Sequence, residues 1–426
     1  MKRKTFIANS GSLLISALPF AGIDLEKISN KNLLSKLKNQ NNDTFSDEQY
    51  WNTVRDMFNF PKDFINLENG YFSPMPMSTE NFYISKAKYI NGKSSWFMRR
   101  EQHNEIENTR KNLADFLSIN PEELAITRNT TESLNNVISG YPWKKGDEVI
   151  IGNQDYGSMV AAFEQQAKRY GIVIKTAQIP LHPLLDEEIV NAYISLITPK
   201  TKIIHLTHLI NLSGQILPAK KIIDEAHKRG VEVVLDAAHS IAHINFRLGE
   251  LDADYVGASL HKWLCCPLGA GFLVVKKKHI EKIYPLMSDN EFAADNIRKF
   301  EHTGTKPVQT IMAINEAIKF HNAIGAELKE KRLRYLKNYW VQRIKKYPEV
   351  SINTPIEDET RSCAIANFSF SKYTPQQLSD KLFDEFKIFT VAIDHPSIKG
   401  VRITPHLYNT TDELDKLVEV VRKMIY

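Results

Sequence analysis

Ser259-Leu-His-Lys262-Trp263 ends the apolar run Asp254-Tyr-Val-Gly-Ala-Ser259, and Asp236 ends an earlier one, Val231-Glu-Val-Val-Leu-Asp236. Both runs read as buried parallel strands, because they are short, continuous and rich in β-branched residues. Open α/β sheets bind ligands at the C-terminal ends of such strands. A lysine at that edge, desolvated or set among cations, becomes a nucleophile toward carbonyls. Ser259 and His261 add a hydroxyl and an imidazole of the kind a phosphate needs. Taken singly, Lys262 is a loop lysine and Asp236 a helix cap; taken together they describe an edge that handles a ligand.

Working outward, strand-like runs recur at Glu123–Thr127, Asp147–Ile151, Ile172–Thr176, Lys202–Thr207, Val231–Asp236, Ala253–Ala258 and Gly271–Val275, with helical patterns between most of them. Such alternation means a mainly parallel sheet covered by helices. Helical patterns at 47–57, 78–91 and 104–117 come first. One long helical stretch, 307–346, follows and leads to a smaller unit with strands near 364–370, 388–393 and 401–404. The expected fold is α/β: a large domain at 47–306 with a seven-stranded sheet, and a smaller C-terminal α+β domain within 307–426.

A lysine for an aldehyde and an acid for a ring nitrogen are the two groups that pyridoxal phosphate requires. Asp236-Ala-Ala-His239 followed by Ser259-Leu-His-Lys262 resembles the class V aminotransferase family of fold-type I pyridoxal-phosphate enzymes, most closely its isopenicillin N epimerase-like branch. Asn129-Thr-Thr-Glu-Ser133, Asp155-Tyr156-Gly-Ser, Asn211-Leu-Ser-Gly-Gln215, Gly304-Thr305 and Val401-Arg402-Ile-Thr-Pro-His406 appear in the family's order. The resemblance runs from about Asn66 to the C-terminus.

That resemblance implies a pyridoxal 5'-phosphate cofactor held by Lys262 as a Schiff base, with Asp236 at its ring nitrogen. Thr130, Thr131, Ser259 and His261 would serve the phosphate, since a helix N-terminus offers free N–H groups to an anion; an ordinary threonine N-cap is the alternative. Tyr156 would stack on the ring, and Asn211 and His239 would approach its phenolic oxygen. Thr305 would come from a neighbouring subunit, which makes a homodimer with shared active sites the expected assembly. Arg402 would take a substrate carboxylate through its guanidinium fork, with a structural salt bridge as the alternative. Asn69 and Tyr71, with Gly70, are further pocket candidates; Arg99 and Arg100 are weaker ones. His205 and His208 receive no role.

The chemistry implied is transformation of a small amino-acid substrate at its α-carbon, by transamination or epimerisation. The alternatives are a carbon–heteroatom lyase and a pyridoxal-binding protein without turnover. Cysteine desulfuration needs a nucleophilic thiol in a loop before the carboxylate-binding arginine, and Val391–Gly400 contains no cysteine. A dinucleotide-binding reading fails because Gly269-Ala-Gly271 lacks a third glycine and leads into a strand.

Charge is nearly balanced, 55 basic against 50 acidic residues and interspersed, which argues against a nucleic-acid partner. Met1-Lys-Arg-Lys-Thr-Phe-Ile followed by the apolar Ser12–Gly22 has the grammar of an export signal, with one arginine of a twin-arginine pattern replaced by lysine; a disordered basic tail is the alternative. The signal is expected at 1–22, too short for a stable membrane span, and a polar linker at 23–46. The location is then periplasmic, or cytoplasmic if the tail is no signal. Cys265, Cys266 and Cys363 cannot build a disulfide framework. His239-x-x-x-His243 places two imidazoles on one helix face, but a cofactor contact plus a satisfied histidine is preferred to a metal site.

Overall fold

The computed structural model describes residues 37, 42–288 and 290–425. The expected signal at 1–22 and most of the linker lie outside the described residues. Where the linker is described it belongs to the folded body: Leu37 is 1% exposed within the main core, and the 3-10 helix Asn42–Ser46 packs its Phe45 there. Polar composition hid two apolar anchors.

Four helices precede the sheet: α1 (Glu48–Arg55), α2 (Met77–Lys93), α3 (Ser95–Arg100) and α4 (Gln102–Leu117). Asp47 caps α1 by accepting from the N–H groups of Gln49 and Tyr50. The short α3 was not expected; Ser94, at φ 52°, turns the chain sharply between α2 and α3.

The alternating region runs β1 (Leu124–Thr127), α5 (Thr130–Gly140), β2 (Glu148–Gly152), α6 (Gly157–Tyr170), β3 (Val173–Ala177), α7 (Asp186–Ile194), β4 (Thr201–Thr207), α8 (Ala219–His227), β5 (Glu232–Asp236), β6 (Tyr255–Ser259) and β7 (Gly271–Val275). These seven strands form one sheet in the order β1-β7-β6-β5-β4-β2-β3. β2 to β6 pair in parallel, while β7 is antiparallel to both β6 and β1. No helical crossover separates β6 from β7, so the chain returns alongside itself through the loop that carries Lys262. Side chains alternate between two cores: Ile150, Ile204, Leu206, Val233 and Leu235 enter one, and Val149, Ile151, Ile203 and Val234 the other. Burial on both faces explains why these strands read as continuous apolar runs.

The long helical stretch is two helices, α9 (Val308–Ile324) and α10 (Ala326–Ile344), broken at Gly325, whose φ of +91° suits glycine alone. The small unit follows: β8 (Val350–Ile352), β9 (Ala366–Phe370), α11 (Pro375–Phe386), β10 (Val391–His395), β11 (Ile398–Ile403) and α12 (Thr411–Ile425). Its four strands are antiparallel in the order β10-β11-β9-β8. β8 was not expected. The single strand expected at 388–393 divides: Ile388–Phe389 pairs in parallel with Ile65–Asn66, and β10 joins the small sheet. The segment 391–400, expected as a loop, is the β10–β11 hairpin. Among the described residues no helix is long and apolar enough to cross a membrane.

Candidate active site

The C-terminal ends of the parallel strands open into a cavity of about 510 Å³, a size suited to a cofactor with a small substrate. Several of these strand ends deliver a group. Asp236 ends β5, Thr207 ends β4, Ser259 ends β6, Asn129 and Thr130 follow β1, and Tyr156 precedes α6. Gly70, Tyr71, Asn211, His239, His261, Lys262 and Arg402 complete the polar wall, with Leu209, Leu268 and Gly269 beside them.

α5 starts at the cavity. Asn129 is its cap, accepting the Glu132 N–H at 2.9 Å, so Thr130 and Thr131 are the first two helical residues rather than caps. The Thr130 N–H donates to Ser259 Oγ at 2.9 Å, and the two hydroxyls lie 2.8 Å apart. A helix N-terminus, two threonines and a serine thus converge where an anion would sit. His261 lines the same wall; burial and the neighbouring Lys262 amine push it down to about 4, so it is a neutral hydrogen-bonding group there.

Lys262 is half-buried on the cavity wall, and desolvation lowers its amine to about 8 from 10.5; Asp236 and Glu68 oppose that shift and Arg402 reinforces it. Its Nζ lies 3.0 Å from His239 Nε2, and Trp263 Nε1 donates to His239 Nδ1 at 3.3 Å. Burial, followed by the charges of Lys262 and Arg402, holds His239 well below the ordinary histidine range. The Asp236 carboxyl is raised by burial, although His205, the Ala238 N–H and Lys262 act against it. His243 is the satisfied partner expected: its Nδ1 donates to the His239 carbonyl at 2.7 Å and its Nε2 accepts the Ala364 N–H at 2.9 Å. Among the described residues no metal-binding cluster of histidine, cysteine and carboxylate is found.

One placement differs from expectation, that of Asn69. Asn69 does not face the cavity: its Nδ2 donates to the Thr404 carbonyl at 2.9 Å, and its Oδ1 accepts from Tyr408 Oη at 2.7 Å, so it ties the N-terminal segment to the small unit. Arg402 reaches the cavity, but its fork is shared with Glu68, through Nη2–Oε1 at 2.5 Å and Nε–Oε2 at 3.3 Å, while Nη1 donates to the Asn211 carbonyl at 3.0 Å. Thr305 lines a different cavity, with Arg99, Arg298 and His302. Arg100 is exposed on α3.

Residues without an assigned role also lie here. His205 is fully buried on β4, with Nδ1 2.8 Å from Asp155 Oδ2, and Thr207 Oγ1 donates to Asp155 Oδ1 at 2.7 Å. Burial pushes His205 down, but Asp155 outweighs it and the imidazole is raised. Charge on His205 in turn favours an ionised Asp236. Asp155 directly precedes Tyr156 in a stretch that the family resemblance marks, and Glu68 directly precedes the pocket candidates Asn69, Gly70 and Tyr71. His208 packs edge-on against Phe246 and is pushed down to about 4 by burial.

An amine that is easily neutralised, a buried carboxylate and a helix-terminal anion seat on one cavity wall suit a cofactor carrying an aldehyde, a basic ring nitrogen and a phosphate. The aminotransferase class-V family model matches residues 78–417. Isopenicillin N epimerase from Amycolatopsis lactamdurans is 28% identical over 393 residues, 88% of this chain and 98% of that protein. Among solved structures, a cysteine desulfurase from Escherichia coli aligns with a TM-score of 0.76 at 21% identity, covering 88% of this chain and 98% of that one. A variant of C-DES with glycine covalently linked to its PLP cofactor gives 0.76 at 19%, covering 86% and 98%.

Proposed function

This chain belongs to the aminotransferase class-V family, and from that premise we propose that it is a pyridoxal 5'-phosphate enzyme that moves the α-proton of an amino-acid substrate, by epimerisation or transamination. The observation that carries this reading is the Lys262 amine, lowered by desolvation to about 8, in one cavity with Asp236. The cofactor, when bound, supplies an electron sink for charge developing at the substrate α-carbon. Lys262 would hold it and, as a free amine, would serve as the base for the α-proton. Asp236, whose ionised form is favoured by charge on His205 while burial raises the carboxyl, would face the ring nitrogen and hold its proton. Thr130, Thr131 and Ser259 would seat the phosphate, and Tyr156 would wall the ring. Arg402 has N–H groups left over after Glu68 and Asn211 are served, and these take the substrate carboxylate.

Desulfuration is a poorer reading, because no cysteine lines the cavity among the described residues. Cys265, Cys266 and Cys363 are buried and free, and burial pushes the Cys363 thiol up to about 12. Thr305, set apart in a cavity of its own, supports a homodimer in which each subunit completes its partner's phosphate seat; monomers in sedimentation of the holoenzyme would count against it. Export by the segment 1–22 is part of the proposal, and full-length protein confined to the cytosol would remove it.

The deciding experiment incubates the holoenzyme with an amino-acid panel in deuterated water. Deuterium at the α-carbon with loss of optical purity means epimerisation, and a keto acid means transamination. Products of β- or γ-elimination alone, or a purified protein that takes up no pyridoxal 5'-phosphate, would overturn the reading.

A further inference from the structure

Trp263 follows the lysine directly and is fully buried, stacked with two imidazoles, His243 at 3.6 Å and His406 at 5.4 Å between ring centroids, both nearly parallel to it. The Lys329 amine donates to its backbone carbonyl. The indole therefore has no freedom to turn, and its Nε1 is aimed at His239 Nδ1.

An indole N–H can only donate. His239 Nδ1 must then accept, and a neutral imidazole that accepts at Nδ1 carries its proton on Nε2. That proton points at Lys262 Nζ, 3.0 Å away. An ammonium has no lone pair to receive it, whereas a neutral amine does. The opposite direction of donation, from an ammonium into Nε2, would put the imidazole proton on Nδ1, facing the indole N–H. Only one ordering satisfies all three groups: indole to imidazole to free amine.

We infer that Trp263 is a positioning residue that locks His239 in its Nε2–H form, which makes His239 a fixed donor into the cavity and selects the nucleophilic free base of Lys262. This rests on the reading of Lys262 as the cofactor lysine. Any group that later replaces the amine opposite Nε2 must be an acceptor, as a phenolate oxygen is. The charges that bear on this chain are Asp236 from β5, Arg402 from β11 and Glu68 from the segment after Ile65–Asn66, together with the neutral His243 and His261.

The test begins with the unaltered protein free of cofactor, its histidine rings labelled with nitrogen-15 and the His239 signals assigned through His239→Gln. Above pH 8 the His239 ring is expected as the neutral Nε2–H form; an Nδ1–H ring in the unaltered protein overturns the inference whether or not any variant folds. In Trp263→Phe, which removes the donor and keeps an aromatic plane, the ring proton is expected to redistribute to Nδ1. The same variant should take up pyridoxal 5'-phosphate, trapped on Lys262 with borohydride and read by mass, with a pH midpoint about one unit higher, hence about tenfold less at pH 7. A folded Trp263→Phe protein with an unchanged midpoint overturns the inference. Adduct that persists in Lys262→Ala strikes instead at the proposed function.

Discussion

The two ends of the cavity are built differently. The end formed by β5, β6 and α5 draws Asp236 and Ser259 from the adjacent ends of β5 and β6, where a backbone ladder sets their spacing, and Thr130 from the first turn of α5, which hydrogen bonds tie to Ser259. The end around Arg402 joins the small unit to the N-terminal segment, where Arg402 meets Glu68 and Asn69 meets Thr404 and Tyr408. Gly70 packs so closely there that a Cβ would stand 3.0 Å from the Arg402 guanidinium carbon. The first end is preformed and rigid, as a site for covalent chemistry needs to be. The second is an ion pair with spare donors, so under the proposed function a substrate carboxylate would join it rather than fill an empty fork.

Removing groups from the two ends should therefore have unequal effects. Lys262→Ala should lower turnover by on the order of 10⁴-fold and abolish borohydride-trapped cofactor at that position; retention of both would erase the distinction. Asp236→Asn keeps the shape but not the charge, and should lower kcat by roughly 10²–10³-fold with cofactor still captured. At the other end, Glu68→Gln removes a charged partner of Arg402, and steady-state kinetics should show KM changed by about ten- to a hundredfold with kcat less affected. A kcat loss equal to that of Asp236→Asn would show that the substrate end takes part in the chemical step no less than the cofactor end does. The smallest effect concerns stability. A lysine lowered by desolvation to about 8 carries a penalty below that pH, because the unfolded chain binds the proton more tightly. Without cofactor, Lys262→Met should be more stable than the parent by about 2–3 kcal/mol below pH 8. The gap should close as pH rises from 8 toward 10.5, as denaturant titrations at several pH values will show.

Much of the first end is legible in the sequence, because it is written locally. Buried parallel strands read as apolar runs, and Asp236 and Lys262 stand at or just past their ends. Errors elsewhere have local causes. One helical period spans 307–346 because α9 and α10 share it, and only the backbone shows that Gly325 breaks it. Thr130 resembles a cap as well as Asn129 does, and the side chain that accepts the N–H decides between them. Asn69 shares a recognisable segment with Tyr71, which does line the cavity; which way the Asn69 amide faces depends on Tyr408, 339 positions away.

Periodicity within short windows determined the α/β architecture and set Asp236 and Lys262 at strand ends, while their cofactor roles and that of the α5 terminus came from the family resemblance. Tertiary structure alone decided that Glu68 occupies part of Arg402, that Asp155 raises His205 behind Asp236, and that Trp263, His239 and Lys262 form one line of contacts. Those pairings join separate segments, and their direction follows from distances and burial that arise only once the strands, the small unit and the N-terminal segment are packed together.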